Sequence, residues 1–371
     1  MHPESSCACR SSGASVVLVG GYPPPYGGVN VHVQRVAHLV QQRFDVDVID
    51  VHAPPSLPVA PTSFPVYRCD GGVAPMRLLR AMAYLRRRRR NIVHFHASAL
   101  KNFAVAAFPL FWSLPPGTSK VITLHSGRLV SNYERSGPVE QRLVAAVLRR
   151  FDHCIAVNEE QVRFLERLGI PPQRTSCIPA FLPPTLVPDA LLQSKVEALR
   201  RAAGSLFLVS GAALQHYGID VAIDALRLLH RETGAKPGLI VILYTEYERA
   251  YLTGIERGLA EYGSEHSLLF RDLNPDRFSY LLSLVDVFLR PTTTDGDSVT
   301  VREAAYLHKQ IIASDCVARP EGAALFETGN ASSLRRAIER ALSDRSYGQP
   351  SPGSEDNAAK LMAVYENLLD R

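Results

Sequence analysis

The chain of 371 residues is 46% hydrophobic and 21% charged, a balance that indicates a globular protein with room for two domains. It contains no run of about 18 apolar residues, which excludes a transmembrane helix. Residues 1–14 lack the apolar core of a signal peptide, so we expect a disordered tail there. The six cysteines are scattered and predict neither a disulfide framework nor a zinc site, so we expect a cytoplasmic protein.

Charge is distributed unevenly along the chain. Residues 1–185 contain 21 Lys and Arg against 11 Asp and Glu, a net charge of +10, whereas residues 186–371 contain 20 against 25, a net charge of −5. A basic first half predicts an anionic partner, which could be membrane head groups, a phosphorylated acceptor or a diphosphate. No nucleic-acid-binding motif is present, so nucleic acid is not expected as a partner.

The first half alternates short apolar runs with helical patterns, which predicts a parallel sheet covered by helices. The predicted strands are 16–20, 46–50, 66–68, 92–96, 121–124 and 153–157, and the main predicted helices are 31–42 and 76–90. Five consecutive arginines, 86–90, end the second helix. They indicate either a solvated helix end or docking to anionic lipid.

Two features of this half lie where strands end. Gly27 and Gly28 precede the first helix, where they allow the backbone to approach a ligand, although a plain glycine turn is the alternative. Gly-x-Gly-x-x-Gly is absent, which disfavours a dinucleotide fingerprint. His125 follows strand 121–124 directly, and His94 and His96 share one face of strand 92–96. His125 is a candidate site residue, while the other two fit a site or a hydrogen-bonded core.

The second half of the chain shows the same alternation of predicted strands and helices. Its predicted strands are 206–210, 238–244, 267–270, 285–289 and 310–314, and its predicted helices are 276–283, 299–309 and 331–343. We therefore expect a first domain over residues 15–185 and a second over residues 200–346. A final helix, 357–369, follows a stretch rich in Gly, Pro and Ser.

Residues 286–322 are the predicted functional centre, because a polar loop there connects a buried strand to a helix. Asp297 or Ser298 can cap that helix, whose N-terminus favours a phosphate. Asp295 precedes the helix and Glu303 lies in its second turn, so both carboxylates can accept hydrogen bonds from sugar hydroxyl groups. An ordinary capped helix is the alternative. Asp295 and Asp297 also mimic an Asp-x-Asp metal motif.

This stretch resembles the donor site of GT-B glycosyltransferases, in particular glycosyltransferase family 4. The family has an acid, seven residues and then Glu-Ala, which Asp295, Glu303 and Ala304 match, although the first acid is usually glutamate. The resemblance implies an α/β fold of two Rossmann-like, doubly wound parallel-sheet domains facing across a cleft, with the last helix, 357–371, packing back on the first domain. It also implies that the first acid contacts the donor sugar and Glu303 holds the nucleotide ribose.

The resemblance assigns further positions by the same matching. Donor diphosphate and sugar contacts fall on Gly27, Gly28, Asn30 and the backbone of Ser298, Val299 and Thr300. A histidine on the acceptor and sugar side corresponds to His125. The positions that bind the nucleotide in the family correspond to Glu303, Gly211, Phe270 and Arg271.

The chain departs from the family pattern at two positions where the family carries positive charge. The family usually carries an arginine and a lysine where this chain has Ala212 and Tyr217, and those cations neutralise the leaving diphosphate. Candidate replacements close to the predicted centre are Arg290, Arg302 and Arg319, although each could instead form a structural ion pair.

The implied activity is transfer of a sugar, with retention, from a nucleoside-diphosphate sugar to an acceptor hydroxyl in cell-surface polysaccharide, glycolipid or other glycoconjugate synthesis. The expected donor is UDP- or GDP-linked, no metal or other cofactor is expected, and the unknown acceptor could be lipid-linked. The basic half then suggests peripheral contact with the inner face of an anionic membrane. The alternatives are a non-catalytic partner subunit, a nucleotide-sugar epimerase and a nucleotide-dependent oxidoreductase.

Overall fold

Two separate parallel β-sheets organise the chain. The computed structural model describes residues 13–24, 26–51, 62–69, 74–87, 90–126, 129–184, 186–295, 298–350 and 356–370. The chain divides into unit 1, Met1–Leu182 with Asp356–Arg371, and unit 2, Pro183–Glu355. Nearly all of the predicted tail, the predicted cap at Asp297 and the second acid of the Asp-x-Asp pattern lie outside the described residues.

The sheet of unit 1 has seven strands within the described ranges, ordered β3-β2-β1-β4-β5-β6-β7, and all neighbouring pairs are parallel. They are β1 (Ser15–Gly20), β2 (Asp45–Asp50), β3 (Val66–Arg68), β4 (Ile92–Ala97), β5 (Ser119–Leu124), β6 (His153–Ala156) and β7 (Thr175–Cys177). Every residue of β1 and β4 is buried, as expected for strands covered on both faces. The strand order reverses between β1 and β4, so their carboxyl ends form a topological switch point.

The described α-helices of unit 1 before residue 182 are α1 (Gly28–Val40), α2 (Ala74–Arg87), α3 (Leu100–Trp112), α4 (Leu129–Glu134), α5 (Pro138–Leu148) and α6 (Glu159–Arg167). The predicted start of the first helix at residue 31 is wrong. The backbone N–H of Val31 already donates to the carbonyl of Gly27, so the helix begins three residues earlier.

The prediction that the second helix extends to residue 90 is also wrong, although Arg86 and Arg87 do lie in its last turn. The described part of the second helix ends at Arg87, and Arg90 lies outside the helix, where it forms a buried ion pair with Asp47 of β2. A buried carboxylate requires a partner, which explains why this arginine turns inward. Arg86 and Arg87 remain exposed, and the two arginines between Arg87 and Arg90 lie outside the described residues.

The sheet of unit 2 has six described strands in the order β10-β9-β8-β11-β12-β13, again with all neighbours parallel. They are β8 (Leu206–Ala213), β9 (Gly238–Tyr247), β10 (Ser267–Arg271), β11 (Val287–Arg290), β12 (Gln310–Ser314) and β13 (Ala324–Phe326). The predicted end of the first of these strands at residue 210 is wrong, because pairing with β9 continues through Gly211 and Ala212. The switch point of this sheet lies between β8 and β11.

The helices of unit 2 are α7 (Ala190–Ala203), α8 (Ile219–Thr233), α9 (Arg249–Tyr262), α10 (Pro275–Leu284), α11 (Val299–Tyr306) and α12 (Ala331–Ser343). The helix predicted over 299–309 is three residues shorter because His308 adopts a left-handed backbone conformation, with φ +54°. A last helix, α13 (Asn357–Leu369), belongs to unit 1, where the Asn357 amide donates a hydrogen bond of 3.0 Å to the Phe181 carbonyl. None of the described helices combines the length and apolar character needed to cross a bilayer.

Hydrophobic packing covers both faces of each sheet. In unit 1 one core lies under α2, α3 and α5 and includes Phe95 and Phe151, and the other joins β1 to α1 and α13 and includes Tyr365. Unit 2 has a corresponding pair of cores. Each fully buried aliphatic or aromatic side chain contributes about 1.5–3 kcal/mol, so these cores fix the strand ends where the polar residues lie.

Candidate functional site

The polar centre of unit 2 lies at the carboxyl ends of three adjacent strands, β8, β11 and β12. The chain after β8 makes a 3₁₀ turn, Gln215–Tyr217, which ends at Gly218. Gly218 has φ +64°, and a Cβ there would lie 2.0 Å from the carbonyl oxygen of Pro291. Only glycine therefore allows the loop after β11 to approach this turn, where the Thr293 N–H donates to the His216 carbonyl at 2.9 Å.

One carboxylate joins two of these strand ends. Arg290 forms a bidentate ion pair with Asp295, in which Nε donates to Oδ2 and Nη2 donates to Oδ1, both at 2.9 Å. Arg319, which follows β12, donates to the same Oδ2 at 2.7 Å. We call Arg290, Asp295 and Arg319 the arginine clamp. Two guanidinium groups and one carboxylate give the clamp a net charge of +1.

The clamp is almost entirely removed from solvent, with side-chain exposures of 11% for Arg290, 8% for Asp295 and 3% for Arg319. Burial alone would raise the pKa of Asp295, but hydrogen bonds and charge from the two arginines lower it to about 2. Burial acts to lower the pKa of Arg290, yet its bonds with Asp295 outweigh that effect and raise it. Asp295 and Arg290 are therefore both charged at neutral pH.

Neighbouring side chains that the sequence analysis missed hold the clamp in place. Arg319 donates to the Ser314 carbonyl at 3.2 Å and to Thr292 Oγ1 at 3.3 Å, and the Ser314 hydroxyl donates to the Thr292 carbonyl at 2.6 Å. The guanidinium carbon of Arg290 lies 5.6 Å from the ring centre of Tyr217. Tyr217 occupies the position where the family usually has a lysine, and that departure was a signal in the sequence for this neighbourhood.

The helix α11 carries most of the other predicted donor contacts. Glu303 is only 2% exposed and accepts a hydrogen bond from the Ser279 hydroxyl of α10. Ser298 is the N-cap residue, but its hydroxyl makes no cap bond and lies 3.0 Å from that of Thr300. Val299 begins the helix, and Arg302 is partly buried on its second turn.

The residues predicted to contact the nucleotide are not all brought together. Gly211 lies within β8, and a Cβ there would be 2.3 Å from the ring of Tyr217, so glycine makes room for that ring. Phe270 and Arg271 end β10, an edge strand separated from β11 by β9 and β8. Arg271 is paired with Glu256.

A histidine cluster occupies the switch point of unit 1. His96 of β4 and His125 after β5 are in contact, with 2.9 Å between Nδ1 of His96 and Nε2 of His125. His32 of α1 lies against both, with ring centres 5.6 Å and 4.9 Å away, and its Nδ1 is 3.0 Å from the Ala180 carbonyl. His32 was missed from the sequence, because a helical histidine between apolar residues gives no sign of the strands that it covers.

The fourth histidine, His94, has both ring nitrogens occupied. Its Nδ1 lies 2.6 Å from the hydroxyl of Tyr365 and its Nε2 lies 2.7 Å from that of Thr123. Burial lowers the pKa of His32 to about 4 and lowers the pKa of His94 well below its ordinary value. The pKa values of His96 and His125 are lowered in the same way, so this cluster is neutral at physiological pH.

The glycine loop of unit 1 lies beside the cluster. Gly27 caps α1, and Gly28 and Asn30 lie in its first turn rather than in the loop. A Cβ on Gly27 or Gly28 would meet no atom of the described residues within 4 Å, whereas one on Gly21 would lie 2.1 Å from the amide oxygen of Asn30. A side chain at Gly21 would therefore displace the Asn30 amide.

Comparison with known proteins addresses the fold. The family model described as Glycosyltransferase Family 4 matches residues 26–185, and no curated protein sequence matches. Sucrose-phosphate synthase from Thermosynechococcus elongatus superposes with a TM-score of 0.67 at 16% identity, covering 96% of both chains. The chain has the GT-B fold of glycosyltransferases. Its first unit resembles glycosyltransferase family 4, and the predicted fold class is confirmed.

Two further GT-B structures show the same full-length similarity. A glycosyltransferase from Rickettsia africae has a TM-score of 0.66 at 14% identity, covering 96% of this chain and 99% of its own. The Anabaena protein Alr3699/HepE in complex with UDP has a TM-score of 0.62 at 15% identity, with 96% and 97% covered. At this level of identity the similarity extends to the fold and not to individual site residues.

We predict that Asp295→Asn makes the chain less stable in a pH-dependent way. The pKa of Asp295 falls from 3.8 to about 2 on folding, so the unfolded chain holds the proton more tightly. The ionic contribution, about 2 kcal/mol, is complete above about pH 4 and is lost as the pH falls through about 2. Urea unfolding at several pH values should show the difference between parent and variant shrinking over that interval.

The matched control is Asp224→Asn, since Asp224 is an exposed acid whose nearest arginine contact is 3.7 Å long. This change should leave the stability and its pH dependence as in the parent. A pH-independent difference for Asp295→Asn would show that the carboxylate is not held ionised by the two arginines.

Proposed function

We propose that the protein transfers a sugar from a nucleoside-diphosphate sugar to an acceptor hydroxyl, with retention at the anomeric carbon. The observation that carries this proposal is the arginine clamp at the switch point of a GT-B unit. Ligands of doubly wound sheets bind at this point, and guanidinium groups match the geometry of phosphate oxygens. The clamp therefore supplies positive charge where the fold places a ligand.

The positive charge of the clamp can replace the two cations that the family carries and this chain lacks. Ala212 lies in β8 and Tyr217 packs against Arg290, so neither offers a cation to a diphosphate. The cations come instead from Arg290, the last residue of β11, and from Arg319, which follows β12. We assign them to the leaving diphosphate, because stabilising the charge that develops in the transition state accounts for much of the rate enhancement in such transfers. Asp295 then positions both arginines in addition to any contact with the donor sugar.

The remaining roles follow the resemblance. We assign the ribose to Glu303, and the diphosphate and sugar to the start of α11 at Ser298, Val299 and Thr300. A UDP-linked donor is favoured over a GDP-linked one, because a structural relative, the Anabaena protein, is described in complex with UDP and with UDP-glucose. The phosphate that leaves would accept the acceptor proton on the same face of the sugar, and the two arginines would take the place of a metal in neutralising the diphosphate.

Unit 1 is assigned to the acceptor. We place His125 on the acceptor and sugar side, with Gly27, Gly28 and Asn30 near the donor phosphates. The neutral imidazole of His125 can donate or accept a hydrogen bond, which suits a sugar hydroxyl group. The acceptor is proposed to belong to polysaccharide, glycolipid or another glycoconjugate.

A non-catalytic partner subunit is the second candidate. The observation in its favour is that Arg290 and Arg319 already share Asp295, so part of their charge is neutralised within the protein. Such a subunit would bind nucleotide weakly and would transfer no sugar.

The experiment that tests the function is a thermal-shift and calorimetric screen of UDP, GDP, ADP, TDP and NAD, with and without magnesium. We expect one diphosphate to stabilise the protein without magnesium. Glu303→Gln should lower its affinity by roughly 10- to 100-fold, because a hydrogen bond to a charged group contributes about 1.5–3 kcal/mol. Glu339→Gln, a change of an exposed acid on α12, is the matched control.

A response to NAD alone would contradict the transferase assignment. Stabilisation by a diphosphate without any release of it from nucleotide sugars would favour the partner subunit. Unchanged affinity in a folded Glu303→Gln protein would remove the ribose assignment.

We predict that Arg290→Ala and Arg319→Ala each lower the rate of sugar transfer by about 100-fold or more, with a smaller effect on the donor KM. Removing one donor to developing charge costs about 10²–10³ in rate. Arg345→Ala, a change of an arginine that is 76% exposed, should have no effect. Steady-state kinetics with circular dichroism as a folding check makes the measurement.

Arg302→Ala should lower the rate less than either of these changes, since Arg302 lies on α11 outside the clamp. If both clamp variants remain folded and retain the parental rate, these arginines do not replace the family cations.

Unit 1 also has a surface that suits a membrane. The helix α3 contacts both α2 and α5. Large apolar side chains are exposed on these three helices, including Leu79 at 62%, Val105 at 64% and Trp112 at 79%. Arg86 and Arg87 are exposed on α2. We propose that this surface, α2 with α3 and α5, contacts an anionic membrane peripherally, because basic and apolar side chains together favour binding at the lipid interface.

We predict that the protein co-floats with vesicles containing phosphatidylglycerol more than with vesicles of phosphatidylcholine alone. Reversing Arg86 and Arg87 to Glu should weaken binding at least tenfold, since each basic residue contributes about 1 kcal/mol near the surface. Trp112→Ser should weaken it independently. Reversing Arg231 and Arg257, exposed arginines of unit 2, is the control. Equal loss in control and test variants would contradict this surface.

A further inference from the structure

The histidine cluster of unit 1 brings three ligand nitrogens together. One nitrogen from each of His32, His96 and His125 lies within 4.8 Å of the others. The three residues come from separate elements, α1, β4 and the end of β5, so the parallel sheet and its covering helix hold them in place. Nitrogens that share a tetrahedral Zn²⁺ at about 2.0–2.1 Å lie roughly 3.4 Å apart. A small rotation of the imidazole rings would bring the three nitrogens to that spacing.

The hydrogen bonds of the cluster leave nitrogens available as ligands. His32 holds the Ala180 carbonyl through Nδ1, which requires a proton on that nitrogen and leaves Nε2 with a free lone pair. This is the arrangement by which a backbone carbonyl orients a metal-binding histidine. The other two rings share one contact, between His96 Nδ1 and His125 Nε2. A metal ion that binds both of these nitrogens needs a lone pair on each, so the ring that donates in this contact must carry its proton on its other nitrogen instead.

One buried nitrogen remains without a partner. His96 Nε2 is buried and makes no hydrogen bond within the part of the chain that the structure describes. An unsatisfied buried polar atom is unfavourable, so this cluster is not simply a set of satisfied core histidines, and with the metal on Nδ1 this Nε2 is the nitrogen of His96 that carries the proton. The contrast is His94 in the same strand, whose two nitrogens both have hydroxyl partners.

We propose that His32, His96 and His125 bind a divalent transition-metal ion, with Zn²⁺ and Co²⁺ as the ions that fit best. The set holds imidazole nitrogen among the described residues and no carboxylate, which favours these ions over Mg²⁺ and Ca²⁺. His125 is only partly buried, so a fourth ligand can enter from solvent. This site is separate from the arginine clamp and does not depend on the proposed sugar transfer.

Occupancy of the site has a consequence for unit 1. A metal ion on His125 removes the imidazole lone pair that a sugar hydroxyl would use. The metal would therefore act as a structural or inhibitory ligand of unit 1 rather than as a cofactor of the transfer step.

The test is titration of tag-free protein with Co²⁺ and Zn²⁺ by absorption spectroscopy and calorimetry. The protein should carry Cys7→Ser and Cys9→Ser, because thiolates near the N-terminus would otherwise bind the same ions. We expect one equivalent of Co²⁺ to give the intense visible absorption of a tetrahedral site, and Zn²⁺ to displace it. X-ray absorption at the zinc edge should show nitrogen ligands at about 2.0–2.1 Å.

The variants are His32→Gln and His125→Gln, each of which removes one ligand and keeps a side chain of similar size. Each should lower Co²⁺ affinity by more than about tenfold, since even the loss of a residue that orients a ligand costs that much. His230→Gln, a change of an exposed histidine on α8 of unit 2, should leave affinity unchanged.

Either of two results would overturn the proposal. One is the absence of saturable binding by the parent protein. The other is binding that survives in both variants when their far-ultraviolet spectra show a folded chain. The zinc-edge spectrum of the parent decides the question independently if a variant does not fold.

Discussion

The candidate donor site depends on one carboxylate that holds two arginines at adjacent strand ends. Asp295 is bonded by Arg290 from β11 and by Arg319 from the chain after β12. Buried guanidinium groups are unfavourable unless they are paired and hydrogen-bonded, so the three side chains fix one another. The start of the loop after β11, from Pro291 to Asp295, is therefore held against the chain that follows β12.

Both units bury polar side chains at the switch point of their sheet, but these side chains are charged in unit 2 and neutral in unit 1. At the switch point of unit 2 the buried groups are ionised and are kept so by opposite charge, with the pKa of Asp295 lowered to about 2. At the switch point of unit 1 the buried groups are imidazoles, and burial lowers their pKa values so that they stay neutral. A charged site favours an anionic ligand, whereas neutral imidazole favours hydroxyl groups or a metal ion. The division of roles proposed for the two units follows from that difference.

The fold was predictable from the sequence because buried parallel strands are continuous apolar runs and their helices repeat every 3.6 residues. The candidate site was predictable only in part. Asp295 and Glu303 were found from their spacing, but the pairing of Asp295 with two arginines was not. The contact with Arg319 depends on how closely the loops after β11 and β12 approach. A second close approach, between the loops after β8 and β11, needs Gly218, which accommodates the Pro291 carbonyl. Arg90 was placed on a helix end for a similar reason, since its buried partner, Asp47, is distant in sequence.

The departures from the family pattern are consistent with one another when they are considered together. A cation at position 217 would lie against Arg290, which instead packs on the ring of Tyr217. Arg290 is only five residues before Asp295, and its two-pronged grip needs the carboxylate close to the strand end. Aspartate meets that need, whereas a glutamate would extend its carboxylate one methylene further along the loop. The aromatic ring at 217, the arginines at 290 and 319 and the shorter acid at 295 thus form a single arrangement, in which positive charge comes from β11 and β12 rather than from β8.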